Sequence, residues 1–198
     1  MQQSWADESH GASRVSAWTF ATRRRIRSVM DRFLPTPEQC VLLASFDGGF
    51  REQIFNAAFG LLYGTGMLTP ELLRICPRDI TSGARMRIAI GGFRARVTPV
   101  PAGAASRLTQ LLDQPGLIPN DAPIFRAPPV SIGKEVIITV LKRRSTLLGF
   151  PQPVFPSDLR IAFVRHMAER GTPIEEIAAI MGLKKLRALD EKLTSFGS

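Results

Sequence analysis

Arg160 lies in the stretch "FPSDLRIAFVRHMAERGTP", Phe155 to Pro173, on the side that a helix of this pattern buries. Leu159, Phe163 and Met167 recur at i, i+4 and i+8, Ser157 or Asp158 can cap the start, and Gly171 can end it. Arg160 shares its helical side with Val164 and Met167. A guanidinium in that position has two readings. It can hold a phosphate, or it can tie neighbouring helices through backbone carbonyls or a carboxylate such as Asp79 or Asp158.

The other cations point to phosphate chemistry on a larger scale. Twenty-six Lys and Arg stand against seventeen Asp and Glu, a formal net charge of +9, with a pI near 10.7. Such a chain is attracted to polyanions, nucleic acid above all. Lys142, Arg143 and Arg144, with Lys134 earlier on the same helix, oppose an apolar face built from Val136, Val140, Leu147 and Leu148. Arg85, Arg87, Arg94 and Arg96 flank a hairpin and alternate onto one strand face, where they can track a backbone. Arg23, Arg24, Arg25 and Arg27 form the densest run, a groove-reaching arm or a steering charge. Lys184, Lys185 and Arg187 sit in the last helix. Each group also has the plain reading of solvated surface charge.

Metal and cofactor chemistry find no support. His10 and His166 are unaccompanied, and Cys40 and Cys76 have neither disulfide nor zinc spacing. "GTG", Gly64 to Gly66, is a helix stop, because no strand precedes it and no Gly-Lys-Ser/Thr follows. No cofactor and no metal are expected.

The elements that must position these residues follow from local signals. Residues 1–34 read as a basic, partly disordered N-terminal extension, and residues 35–198 as the folded domain. Thr36, Pro37 and Gln39 make a capping box for a first helix, and a second runs from about Arg51 to Gly64 or Gly66. Thr69 is the expected cap of a third. Met86, Ile88 and Ile90, then Phe93, Ala95 and Val97, alternate about a two-residue Gly91-Gly92 turn. "AASRLTQLLDQ", "SIGKEVIITVLKRRSTLLGF", the Arg160 helix, "IEEIAAIMGL" with Thr172, Pro173 and Glu175 as its capping box, and a short basic helix complete the order. The fold class is mainly α with one small antiparallel β-hairpin or sheet. No run approaches a membrane span and no signal-peptide core is visible, so a reducing, cytoplasmic and nucleoid-associated setting is expected.

Several phrases, in order, resemble the catalytic domain of the tyrosine recombinases, the phage-integrase and Xer-type enzymes. "LLYGTGMLTPELLRICPRDI" resembles the family stretch in which "TG" and "ELL" precede a "DI" leading into the hairpin. "RARVTPVP" is similar to the closing strand with its "VPL" ending. "SIGKEVIITVLKRRSTLLGF" looks like the helix the family lays on DNA. "SDLRIAFVRHMAERGTPIEEIAAIMGL" resembles the family's "HDLRHTFATHLLERG…I…LGH" block.

The resemblance implies a tyrosine nucleophile, two arginines, a lysine and two histidines, or a histidine and a tryptophan, around one phosphate. At those positions the chain has Leu68 for the first arginine, about Gly91 for the hairpin lysine with Arg94 the nearest cation, and Ser157 for the first histidine. Arg160 is kept, Ile161 stands where the family block has the histidine next to that arginine, Leu183 stands at the histidine of "LGH", and no tyrosine lies near Lys192. The one tyrosine, Tyr63, belongs to an apolar helix end. The resemblance therefore leads to the expectation of a DNA-binding protein without recombinase chemistry, not an enzyme, with Arg160 structural. Its role would be transcriptional or DNA-transfer regulation of a mobile element, with double-stranded DNA as partner. An alternative is an interaction module that oligomerises or docks on an active recombinase through "LKKLRALDEKLTSFGS", where Leu183, Leu186, Leu189 and Leu193 fall at helical spacing.

Overall fold

Thr36 opens the first helix by purely local chemistry. Its hydroxyl accepts from the Gln39 N–H at 3.3 Å, and the Gln39 side chain accepts from the Thr36 N–H at 2.9 Å, the reciprocal box read from the sequence. Helix α1 follows as Pro37–Leu43. The computed structural model describes residues 33–83, 85–113, 118–126, 128 and 131–183. Residues 1–32 of the N-terminal extension and the segment expected to form the last basic helix, from 184 on, lie outside them.

Helix α2, Phe50–Thr65, is apolar on every side. Ile54, Phe55, Ala57, Ala58, Phe59, Leu61 and Leu62 are all buried. A helix of that kind needs neighbours all round, and α2 has them in α1 and in four later helices. It ends at Gly66, whose φ of 59° and ψ of 21° are left-handed. Helix α3, Thr69–Leu72, starts one residue earlier than expected. Leu68 occupies the cap position, Thr69 is the first helical residue, and the Glu71 carboxylate accepts the Leu68 N–H at 2.7 Å.

A 3-10 turn, Pro77–Asp79, leads into β1, Ile80–Thr81, followed by β2, Arg87–Ile90, and β3, Arg96–Pro99. The three strands form an antiparallel sheet in the order β1-β2-β3, one strand more than a hairpin. Ile90 pairs with Arg96, so residues 91–95 connect the strands and the two-residue turn is not formed. The inward face carries Ile88, Ile90, Thr98 and Val100, all buried, while Phe93 and Val97 point outward at 89% and 62% exposure. The β3 face is thus opposite to the one that apolar alternation indicates.

Four further helices are described: α4, Ala102–Leu112; α5, Lys134–Leu147; α6, Pro156–Glu169; and α7, Ile174–Ile180. Helix α4 lies close along α2, since a Cβ on Gly64 would stand 3.1 Å from Pro101 Cδ. In α5 the buried stripe is Ile137, Leu141, Arg144 and Ser145. Val136 and Leu147, assigned inward from the sequence, are 37% and 64% exposed. Phe155 holds the cap position of α6, and Asp158 accepts its N–H at 2.8 Å, in place of the Ser157 or Asp158 cap. Pro173 occupies the cap position of α7, with no side-chain cap from Thr172. The fold is mainly α with a small antiparallel sheet, as expected. No described helix is long and apolar enough to cross a membrane.

Candidate functional site

Arg160 enters the core from the first turns of α6 and is 4% exposed. Its Nη1 donates to the Gly66 carbonyl, so the residue that ends α2 is held from the second turn of α6. Nη2 is buried and meets no acceptor. Burial pushes the guanidinium down to about 10, with Glu71 opposing the shift and Arg94 and Arg96 adding to it. The acids suggested by the sequence are engaged elsewhere: Asp79 accepts the Cys76 N–H at 2.9 Å, and Asp158 caps α6. Glu71 is the carboxylate in the field of Arg160.

Glu71 organises this corner. Arg96 approaches it in bidentate fashion, Nη1 to Oε1 at 2.9 Å and Nη2 to Oε2 at 3.0 Å. Arg96 also donates through Nε to the Ile180 carbonyl at 2.6 Å and through Nη1 to the Arg94 carbonyl at 3.0 Å. Burial works to raise the Glu71 carboxyl, but the Arg96 and Leu68 hydrogen bonds and the charges of Arg96 and Arg160 outweigh it. The result lies below the ordinary 4.5. Two guanidiniums, those of Arg96 and Arg160, thus act on one carboxylate, and Arg94 Nη1, like Arg160 Nη2, is buried without an acceptor. The corner carries excess positive charge in apolar surroundings, since Ile161 is buried and Leu68 and Leu183 are half-buried.

The expected DNA-contact residues separate into two groups. Arg94 and Arg96 are half-buried hairpin anchors, and Arg144 is 2% exposed. Arg144 donates to the Leu43 carbonyl and Asn56 Oδ1, both at 2.7 Å, and pairs with Glu52. It therefore leaves the exposed cluster assigned to it. Lys134, Lys142 and Arg143 are exposed on α5, and Arg85 and Arg87 are exposed at the sheet. Lys142 Nζ lies 5.3 Å from the Phe155 ring centroid. Arg23, Arg24, Arg25, Lys184 and Lys185 lie outside the described residues. Among the described residues no group of His, Cys, Asp and Glu is arranged to hold a metal.

Tyr63 is hydrogen-bonded to His166, Oη to Nδ1 at 2.9 Å, and burial pushes its phenol up to about 12. The sequence reading missed Glu71, Glu52 and Phe93. Only Glu71 carried a local signal, three residues after Leu68 and next to Pro70 at a helix start.

No family profile matches the chain. It is 28% identical over 133 residues to the tyrosine recombinase XerC of Nitrobacter winogradskyi, covering 64% of this chain and 41% of that protein. It is 24% identical over 162 residues to a tyrosine recombinase of Pseudothermotoga lettingae, covering 81% of this chain and 54% of that protein. The chain spans about half the length of the curated relatives it matches. Among solved structures, XerH bound to its difH substrate superimposes with a TM-score of 0.69 at 16% identity, covering 82% of this chain and 50% of XerH. XerA recombinase gives 0.63 at 17%, covering 87% of this chain and 55% of XerA. These relatives correct one expectation. They are named recombinases, which are enzymes, and that overturns the reading of the chain as not an enzyme. In sequence the chain is thus similar to named tyrosine recombinases, and in fold to the solved structures of such recombinases.

Proposed function

We propose that this chain binds duplex DNA through its recombinase-type domain and acts in the transfer, or in the control of transfer, of a mobile element. The observation that carries this reading is the set of outward cations left after the inward arginines are accounted for. Lys134, Lys142 and Arg143 on α5, and Arg85 and Arg87 at the sheet, are exposed and outside every ion pair among the described residues. Cations without counter-charges lose no internal partner when they neutralise phosphates, and each phosphate neutralised releases counterions from the duplex. The net charge of +9 acts in the same direction. The similar folds of XerH bound to difH substrate and of the Tn1549 integrase in complex with a circular intermediate DNA support DNA as the partner. In this reading Arg160 serves as a brace between α2 and α6.

An electrophoretic shift of duplex DNA across a salt series tests the proposal. The expected result is binding that weakens steeply as salt rises, with Lys142→Ala and Arg143→Ala together lowering the salt slope by roughly two. No shift at low salt overturns it. The same samples on a nicked duplex, run under denaturing conditions, report strand cleavage as protein that remains attached to DNA.

A further inference from the structure

Helices α1, α2, α4 and α6 leave a pocket of about 630 Å³ between them, within the size range of sites that hold small molecules. Its walls are mostly apolar, with Val41 of α1, Ala104 of α4, and Phe163 and Met167 of α6 among them. Val41 is 49% exposed at the mouth.

Two polar side chains break this lining. Tyr63, in the last turn of α2, and His166 on α6 are joined Oη to Nδ1 at 2.9 Å. His166 is 6% exposed, and burial lowers its imidazole below the ordinary 6.5, so at neutral pH the ring carries one N–H. The phenol keeps its proton as well, since burial pushes it up to about 12. The pair thus has two protons and uses one between its members, whichever tautomer it adopts. The other has no acceptor among the described residues. An occupant that is apolar throughout, such as the greasy face of another helix, would bury that proton unanswered at a cost. The fitting occupant brings an acceptor.

Charge decides which acceptor. Arg107 and Arg170 line the pocket and lie outside every ion pair among the described residues. Arg107 is tied to neutral acceptors, the Gly103 carbonyl at 2.7 Å and Ser45 Oγ at 2.5 Å. The charge of Arg170 reaches Tyr63 and Glu38. Glu38 is the acid among the lining residues, and it already accepts from the Thr36 hydroxyl at 2.8 Å. Two guanidiniums against one carboxylate leave the pocket net positive, which favours an anionic head over a neutral or cationic one.

We infer that this pocket is a binding site for a small monocarboxylate with an apolar body, its head taken by the Tyr63–His166 pair and Arg170 and its body by Val41, Phe163 and Met167. The inference is independent of how the chain meets DNA. A ligand there touches four helices, so occupancy stabilises the folded state by mass action.

Titration calorimetry on the full chain tests this with three probes of one chain length and different heads: octanoate, octanol and octylammonium. Octanoate is expected to bind once per chain, about tenfold tighter than octanol, with octylammonium weakest. It is also expected to raise the midpoint of chemical denaturation. Tyr63→Phe with His166→Phe keeps two rings in place and removes both protons; either change alone leaves one proton free. The double variant is expected to bind octanoate about tenfold more weakly. Arg170→Gln, at an exposed position, narrows the preference for octanoate over octanol. Val41→Trp fills the mouth and removes uptake of all three probes. No saturable uptake of octanoate by the wild type overturns the inference. So does octylammonium binding as tightly as octanoate, which marks a nonspecific apolar surface, or octanoate uptake unchanged by both the double variant and Val41→Trp. A wild type that sediments at twice the mass of Val41→Trp shows a second copy covering the pocket, and this also overturns it.

Discussion

A guanidinium that is 2% exposed must find acceptors for its donors or the fold loses free energy, and Arg144 finds them for both terminal nitrogens on two other segments, with Nε left over. The Leu43 carbonyl at the end of α1 and Asn56 and Glu52 on α2 all accept from it. Three rings surround the same group, with centroids at 4.5 Å for Phe46, 5.0 Å for Phe59 and 5.9 Å for Phe55. Replacing Arg144 with Ala empties that cage and strands the Leu43 carbonyl, while the Asn56 amide oxygen keeps only the Phe46 N–H. Glu52 is partly exposed and recovers water, so the loss falls at the lower end for a broken buried pair, about 3 kcal/mol. Chemical denaturation checks this. Lys142→Ala and Arg143→Ala, two residues and one residue away but exposed, are expected to shift stability by less than about 0.5 kcal/mol. Equal stability for Arg144→Ala and Lys142→Ala would show that Arg144 does not join α1 to α2.

At the scale of elements, sheet and helix faces are chosen by partners remote in sequence. The strand of Phe93, Ala95 and Val97 reads as apolar-in by period, yet the chain turns Arg94, Arg96 and Thr98 inward because Glu71 and the Ile180 carbonyl wait there for Arg96. In α5 the run Val136–Leu141 offers two apolar faces, and periodicity alone does not choose between them. Arg144 decides by docking on α1 and α2, which rotates the buried stripe by one residue. The α1 capping box and the stop at Gly66 were legible because each depends on neighbours within a few positions. The same Glu71–Arg96 pair gives a pH prediction. The folded-state pKa of Glu71 is depressed below 4.5, so the pair contributes stability that is complete above that value. Below it the unfolded chain takes up the proton first, and the contribution fades as pH falls through the folded pKa. Glu71→Gln is expected to be less stable at neutral pH and to lose less stability between pH 4.5 and more acid conditions. A parallel acid denaturation profile for wild type and variant would show that Glu71 is not the group responsible.

Over the whole molecule, the positive charge serves two different ends. Arg96, Arg144 and Arg160 face inward and hold helices and sheet together, while Arg85, Arg87, Lys134, Lys142 and Arg143 face water. A count of net charge does not distinguish them. The joint through which the inward set acts is Gly66. It ends the central helix α2 in a left-handed conformation, its carbonyl takes Arg160, and its Cα faces the Phe163 ring of α6. An added Cβ would stand 2.6 Å from Phe163 Cδ1, and the left-handed backbone alone costs a non-glycine residue about 1–2 kcal/mol. Gly66→Ala therefore forces the ring or the helix end to move and loosens Arg160 from its carbonyl at the same time. Because α2 contacts five other helices, the strain cannot stay local. The variant is expected to unfold in one transition at a markedly lower denaturant concentration, with its DNA affinity falling only in proportion to the unfolded fraction. A selective loss of DNA binding with unchanged stability would instead make this joint part of the DNA-contact surface, and Arg160 more than a brace.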